Sequence, residues 1–434
     1  MRRIMVAITI LFGLAILPMN TNAADSVERL LDLLIKQGTI TQEEGAVLRK
    51  EIQEDKEQKA KVPTEQVGDA KDDSKTKAWM ENIEIGYKDG VFIKTKDERF
   101  LLKLNTSVQP FFEYHDLEDK SDVREFRLRR ARLYVSGNAF YPWLKYSTQI
   151  TLEGGSVALR DYTLSSTHFK ELQPTIGQFK VPFDREFLTS GFNLQLIERS
   201  IASEEFSLQR DIGFQLSGRV FQDLLEYRVG IFNGSGANQS NQDKDLMYVG
   251  RLTFTPFGPV PYSQGSLNQT STPRLAIGVG TVYLPGLEPG ERKTLAGKLG
   301  DSKILPVESD VTQVTADLAF LYRGFSLEGG YHFRNIDPKV KTKFKSVDAN
   351  GFFIQAGYFI IPEHLEFAAR YSFVDPDNPA SSGKNNKKEV TIGPSYYLFG
   401  HRLKVQDNYT YRTTETSNKE LDDHLVRLSL VFQF

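Results

Sequence analysis

The side chains of this chain best suited to chemistry are arginines. The stretch FRLRRARLYV (126–135) sets Arg127, Arg129, Arg130 and Arg132 among residues of good strand propensity. A guanidinium stays charged at any working pH, so it offers neither a general acid nor a general base. It offers a planar fork of donors that fits carboxylates and phosphates. The chemistry on display is therefore oxyanion recognition or ion pairing. Signatures of other chemistries are missing: the 434 residues hold no G-x-x-x-x-G-K-[ST], no G-x-S-x-G and no H-E-x-x-H. The six histidines do not cluster at ligand spacing, and Asp375-Pro-Asp377 lacks the later glycine and glutamate of a calcium loop. No basic patch with interleaved aromatics supports nucleic-acid binding. The sequence predicts no enzyme, no cofactor and no metal site.

Whether one strand can hold four arginines depends on what its two faces touch, and the rest of the chain decides that. There is no cysteine, so no disulfide framework or thiolate metal site. Mean hydropathy is -0.38, and past residue 20 no run of 18 apolar residues occurs, which excludes a bundle of membrane helices. Arg2 and Arg3, the apolar run Ile4–Leu17, Pro18 and the small-residue site at Thr21-Asn22-Ala23 predict a signal peptide over 1–23. The mature chain is expected to be exported. Over 25–61, Val27, Leu30, Leu31, Leu34 and Ile35 form a helical stripe. Gly38 ends that helix, and the capping box Thr41–Glu44 starts another. This helical, coiled-coil-like segment either packs on itself or contacts something in the periplasm. Residues 62–80 read as a charged flexible linker.

The barrel domain is expected over 81–434, and from residue 83 to Phe434 the period changes to two. Stretches such as LKYSTQITLE (144–153), LEFAARYSF (365–373) and VRLSLVFQF (426–434) are apolar or aromatic on one face and polar on the other. Sixteen such segments fit, running from 99–114 to 423–434. Tight turns (Tyr141-Pro142, Gln222-Asp223, Arg323-Gly324, Gly400-His401) alternate with long polar loops (182–209, 234–245, 285–310, 336–349, 375–387, 414–422). The connection 154–156 is unusually short and 257–271 is long where a turn is expected. Alternation alone also permits a β-sandwich. Aromatic pairs at strand ends and the unbroken hairpin rhythm point instead to a 16-stranded antiparallel transmembrane β-barrel in the bacterial outer membrane, with both ends of the barrel and the helical segment on the periplasmic side.

In such a barrel Ala131, Leu133 and Val135 face lipid, and Arg130 and Arg132 face the lumen. Arg127 and Arg129 have the opposite phase, which puts them above the membrane or at a bulge. The same rule turns Lys103, Lys145, Arg219, Arg228, Arg251, Arg334, Arg370, Lys404, Arg412 and Arg427 inward. It turns Glu113, Glu153, Asp161, Glu226, Asp317, Glu328 and Glu366 inward as well, so the wall is expected to be net cationic and to favour anions. Asp407 falls on the lipid face, which predicts a bulge or a shifted boundary there.

The stretches GYKDGVFIKT (86–95), LRRARLYVSG (128–137), IGQFKVPFDREFLTS (176–190), IERS (197–200), RDIGFQLSG (210–218) and GIFNGSG (230–236) resemble the phosphate-selective porin O/P family. The resemblance implies a usually trimeric sixteen-stranded porin whose third long loop, here 182–209, folds inward as a constriction. Lysines and arginines of such a loop select anions, which here implies Lys180, Arg185, Arg199 and Arg210. Asp184, Glu186, Glu198, Glu204, Glu205 and Asp211 share the same stretch, a departure from a purely cationic throat. The expected function is a water-filled pore for passive diffusion of small hydrophilic solutes, anion-preferring, with phosphate or similar oxyanions as candidates. The alternative is a barrel scaffold or sheath that holds a protein partner in its lumen or through its N-terminal helices.

Overall fold

The structure, a computed structural model, describes residues 82–118, 121–241, 244–288, 307–340, 345–376, 386–415 and 419–434, with isolated positions between 35 and 50. The expected signal peptide (1–23), helical segment (25–61) and linker (62–80) lie outside the described residues apart from those isolated positions. Trp79–Phe434 forms one compact unit.

That unit opens with a short hairpin, β1 (Ile83–Tyr87) and β2 (Val91–Thr95). Sixteen further strands follow: β3 (Leu101–Leu117), β4 (Val123–Asn138), β5 (Leu144–Thr151), β6 (Ala158–Ser166), β7 (Gln173–Lys180), β8 (Arg210–Val220), β9 (Leu225–Phe232), β10 (Met247–Phe254), β11 (Arg274–Leu287), β12 (Ser309–Tyr322), β13 (Phe325–Pro338), β14 (Val347–Ile361), β15 (Leu365–Asp375), β16 (Lys387–Phe399), β17 (Leu403–Glu415) and β18 (Glu420–Gln433). Each pairs antiparallel with the next, and β18 pairs back onto β3 from Asp423↔Leu117 to Gln433↔Ser107. The sheet is a closed cylinder, so its wall has no free edge.

The period of two explains the wall. On β14, Phe353 and Gln355 are buried while Phe352 and Ile354 are exposed, so one face meets the lumen and the other hydrocarbon. The turns match the twist of their strands: Arg323 (φ 45) and Gly324 (φ 81) both take the left-handed conformation that a two-residue hairpin turn needs. Aromatic residues gather at the end with the short turns, where Phe100 meets Phe140 and Tyr141 stacks on Trp143. That end is periplasmic by the short-turn rule.

Four features add to the sequence reading, decide between its alternatives or differ from it. First, residues 83–95, outside the sixteen expected segments, form the β1–β2 hairpin. Its second strand pairs with the start of β3 (Val91↔Leu104), on the edge that β18 leaves free below Phe434. Second, of the two expected alternatives for Arg127 and Arg129 the structure takes the bulge, which lies within β4. Gln109 pairs with Arg130 and Pro110 with Leu128, which leaves Arg129 as the extra residue. A matching shift on β6, where Gln149 pairs with Asp161 and Ile150 with Leu159, leaves Arg160 as the extra residue. Third, Asp407 remains on the outer face with no bulge beside it. The β16–β17 register runs unbroken from Ile392↔Tyr409 to Ser395↔Gln406, and the ladder only skips the place where Pro394 has no N–H to give. Fourth, the long connection 255–273 enters the barrel from below instead of turning beneath it, burying Val260, Gln264 and Ser266.

The lumen also contains an apolar core. Val181, Phe183 and Leu208, at the two ends of the loop between β7 and β8, pack against Phe232, Met247, Val249, Val282, Leu284, Val311, Ile336 and Val347 of the inner wall. A second cluster seats Ala202 and Phe206 on Ala349, Phe353 and Val374. These contacts turn the loop inward, because its apolar residues have no other dry surface to cover.

Candidate functional site: the lumen and its neck

The loop between β7 and β8 carries two short helices, α1 (Arg185–Leu188) and α2 (Ile201–Phe206). Asp184 caps the first by accepting from the backbone N–H groups of Glu186 and Phe187, and Ser200 caps the second through the N–H of Ser203. Ser203 donates its hydroxyl to Asp184, which ties the two caps together. Glu186 accepts from the N–H and hydroxyl of Ser200 (3.1 and 2.6 Å), and burial raises its carboxyl above the usual range.

The wall then grips this loop. Gln195 donates to Ser326 (2.7 Å) and Glu366 (2.5 Å), and its carbonyl accepts from Ser395 and Gln406. The N–H of Ile197 donates to Asn408 (2.7 Å), and that of Ala202 to Ser372 (3.2 Å). The connection 255–273 meets the same loop from the periplasmic side: the N–H of Gln264 donates to the Asn193 carbonyl (3.0 Å), and the N–H of Gln195 donates to the Gln264 side chain (3.0 Å). Both segments are fixed to the turn after β16. His401 Nε2 lies 3.1 Å from Ser263 Oγ and 3.0 Å from the Gln264 carbonyl, while Lys404 donates to the Leu194 carbonyl (2.5 Å). Two connections entering from opposite mouths thus interlock.

The interlock divides the lumen. A cavity of about 1050 Å³ opens on the periplasmic side, with Tyr134, Ser190, Asn193, Ser263 and His401 in its lining. A second of about 960 Å³ opens on the extracellular side, lined among others by Arg129, Glu198, Glu204, Arg412 and Arg427. They share no lining residue among those described. Between them lies a neck where Arg130 of β4 packs against Gly191 of the loop.

The structure sorts the sequence-predicted cations into three kinds. Arg251, Arg334, Arg370 and Lys404 are buried and hold the loop. Arg251 forks onto Asp317 (2.7 and 2.8 Å) and donates to the Phe183 carbonyl (2.7 Å), and Arg334 binds Glu205 (3.0 Å). Arg370 binds Glu389 (3.2 Å) and the carbonyls of Glu198 and Arg199. A second kind pairs with carboxylates along the wall. Arg412 pairs with Glu389, Arg427 with Glu113, and both Arg219 and Arg228 with Glu226, while Lys145 reaches Asn138 (3.4 Å). Arg185 donates to the Pro261 carbonyl (2.7 Å) and lies over the Tyr262 ring.

The third kind surrounds the neck. Arg132 pairs with Glu153 and Thr151, Arg210 with Asp161 (2.8 Å) and Gln149 (3.1 Å), and Arg130 with Glu198 (3.1 Å) and Gln109. Lys180 donates to three carbonyl oxygens at the C-terminal end of α1, those of Phe187, Leu188 and Thr189 (2.9, 2.9 and 3.0 Å). Arg199 donates to the carbonyls of Glu186 (3.1 Å) and Thr189 (2.6 Å), and its burial lowers its proton affinity. Lys180 and Arg199 thus donate to carbonyl dipoles and not directly to a carboxylate, with Glu186, Glu204, Asp184 and Glu198 within electrostatic reach of Arg199 and Asp161 within reach of Lys180.

The bulges add two cations that strict alternation would send outward. Arg129 turns to the lumen and forks onto Glu198, Nη2 to Oε2 at 3.0 Å, with Nε on the other oxygen. Arg160 comes within electrostatic reach of Arg132, Arg210, Glu153 and Asp161. Arg127 also faces inward, pairing with Glu125 (3.4 Å) and lying over Phe111. All four guanidiniums of FRLRRARLYV therefore reach the wet side.

A closed sixteen-stranded cylinder with an inward loop is the architecture of outer-membrane porins and points to a channel. The family model of phosphate-selective porins O and P matches residues 102–434, and the chain belongs to that family. An uncharacterized protein of Aquifex aeolicus (strain VF5) is 25% identical over 388 residues, covering 76% of this chain and 87% of that one. Among solved structures, the anion-selective porin from Comamonas acidovorans superposes with a TM-score of 0.53 at 13% identity, over 77% of this chain and 99% of that chain. The trimer form of in-vitro folded OmpT of Vibrio cholerae gives 0.50 at 14% identity, over 76% and 99%. At such identities the likeness is one of fold.

Proposed function

We propose that the mature chain is an exported porin for passive diffusion of small hydrophilic solutes, that it prefers anions, and that the neck sets this preference. One observation carries the reading. Arg132, Arg160, Lys180, Arg199 and Arg210 converge on one corner of the neck, where Glu153 and Asp161 are the carboxylates bound to them. Neither Lys180 nor Arg199 makes a direct ion pair among the described residues, so cations outnumber the directly paired carboxylates at this corner, which attracts an anion into the low-dielectric passage and repels a cation. The forked donors suit oxyanions, phosphate among them. The anion-selective relative from Comamonas acidovorans and the trimer form of OmpT support the same reading and a homotrimeric assembly. The segment 25–61 is then a periplasmic contact element. A sheath around a protein partner is disfavoured, because the barrel's own loop already packs against the inner wall.

Reversal potentials across planar bilayers in asymmetric KCl test this. Anion preference is expected, and Lys180→Gln with Arg199→Gln should reduce it. A cation preference in the unaltered protein would overturn the reading.

A further inference from the structure

We propose that His401 is an acid-sensitive latch: its neutral ring joins the inward loop to the connection 255–273, and taking up a proton releases the joint and widens the passage. The inference rests on the chain conducting as a pore and is independent of which ions that pore prefers.

The ring is engaged at both nitrogens. Nε2 lies 3.0 Å from the Gln264 carbonyl and 3.1 Å from Ser263 Oγ, while Nδ1 lies 3.3 Å from Lys404 Nζ. A carbonyl only accepts and an ammonium only donates, so the partners fix the tautomer: Nε2 carries the hydrogen and Nδ1 accepts. The same ammonium donates to the Leu194 carbonyl of the inward loop (2.5 Å). One neutral ring thus completes a chain from Leu194 through Lys404 and His401 to Gln264. Its two ends belong to the two segments that divide the lumen.

A second proton on the ring has only Nδ1 to go to, where an ammonium hydrogen already points. Two donors and two positive charges would then face each other at 3.3 Å. No carboxylate among the described residues pairs with the ring to offset them. β16 presents Tyr397, edge-on with ring centroids 5.5 Å apart, and behind it Glu366 of β15 is taken up by Tyr397 and Gln195 (2.5 Å each). Arg130 of β4 lies within electrostatic reach of Lys404 and adds to the positive charge. β18 presents Gln433, which donates to the His401 carbonyl (2.8 Å), and in the turn itself Arg402 pairs with Asp89 of the β1–β2 hairpin. The connection brings the uncharged Ser263 and Gln264, and Arg274, where it joins β11, donates to the Phe257 carbonyl.

Relief comes from moving the ring or the ammonium, and either movement breaks the chain. If the ring turns out, Ser263 and Gln264 lose it. If Lys404 withdraws, the Leu194 carbonyl keeps only the longer bond from Gln406 (3.3 Å). The ring lines the periplasmic cavity, so a proton reaches it from the periplasmic mouth and a released imidazole has water to enter. While the joint is closed, burial and the neighbouring ammonium hold the imidazole well below its ordinary value. The closed joint is therefore complete above about 6.5 and is lost as pH falls from there through the lowered value.

The test is single-channel recording in planar bilayers with the unaltered protein, His401→Gln and His401→Lys. Between about pH 8 and about pH 5 the unaltered protein should gain time at a larger conductance level, its ratio to time at the basal level rising up to about thirtyfold, as protonation of a free imidazole does. The Gln amide donates to the Gln264 carbonyl and accepts from Lys404 without titrating, so His401→Gln should keep the basal level at both values. His401→Lys sets a fixed charge against Lys404 and should show the larger level already at the higher pH. Heat-modifiability on gels checks that each barrel is folded, and His401→Gln carries the test alone if His401→Lys is not. The same acid response in the unaltered protein and His401→Gln overturns the proposal. If nothing conducts at any pH, the pore reading fails first; if current flows with no acid-dependent level, only the latch fails.

Discussion

Gly191 of the inward loop lies flat against the guanidinium of Arg130 in the wall: a Cβ at position 191 would stand 2.5 Å from Nε and 3.0 Å from Cζ of that arginine. Any larger side chain at 191 therefore displaces the Arg130 guanidinium. Gly191→Val should push Arg130 off Gln109 and Glu198 and narrow the passage. Single-channel conductance is expected to fall severalfold while the barrel remains heat-modifiable on gels. Conductance equal to that of the unaltered protein would place the path elsewhere.

The bulge at Arg160 can be removed without shifting anything else. Deleting that residue leaves Leu159 outward, Asp161 inward and Tyr162 outward, in regular alternation. The deletion and Arg160→Gln should both fold and should lower anion preference to a similar extent, read from reversal potentials. A deletion that fails to insert would show that the bulge is needed for register.

His401 gives a pH dependence with a definite sign. Burial, and the ammonium of Lys404 3.3 Å away, hold its imidazole well below the ordinary value. The fold therefore favours the neutral ring. That contribution is complete above the unfolded value of about 6.5 and is lost as pH falls from there through the lowered folded value. Thermal midpoints in detergent should drop on acidification, and His401→Gln should flatten the slope. An unchanged slope would remove His401 from the interlock.

Hydrocarbon on the outer face has a measurable cost. Ile354 sits at the middle of β14 with its side chain outward. Ile354→Arg should cost about 2–4 kcal/mol in lipid vesicles, while Val340→Arg, at the rim, should cost about 0–1 kcal/mol. Equal costs would mean the outer face is not in lipid.

Phe183 is fully buried where the loop leaves β7. Phe183→Ala should destabilise the loop anchor by about 3–5 kcal/mol and raise open-channel noise, with the strands themselves intact. Quiet channels would show that the polar interlock alone suffices.

Much of this was legible in residue order. On β14, alternation of Phe352, Ile354 and Tyr358 with Phe353 and Gln355 fixes both faces. The bulges leave a subtler trace, a change of parity in the apolar set: Phe126 and Leu128 are even, Ala131, Leu133 and Val135 odd. Arg129 was flagged by that clash. Arg160 was not, because Leu159 alone stands on the far side of its bulge. The inner apolar core also has a signal, since Val282, Tyr283 and Leu284 are apolar on both faces where a lumen-lining strand should alternate. The inward path of 255–273 has none. Its partners Asn193, Gln195, Gln355 and His401 are scattered along the chain, and a polar connection looks the same whether it meets bulk water or other polar side chains.

The two bulges also bear on how such a pore diversifies. In a wall of period two, replacing a lumen residue exchanges one charge for another group, whereas inserting an arginine adds a charge and sacrifices no lipid-facing contact. A one-residue insertion in a strand is therefore a route to added lumen charge. Arg129 and Arg160 occupy two such positions, each adding a guanidinium to the lumen while the outward residues of its strand stay in place.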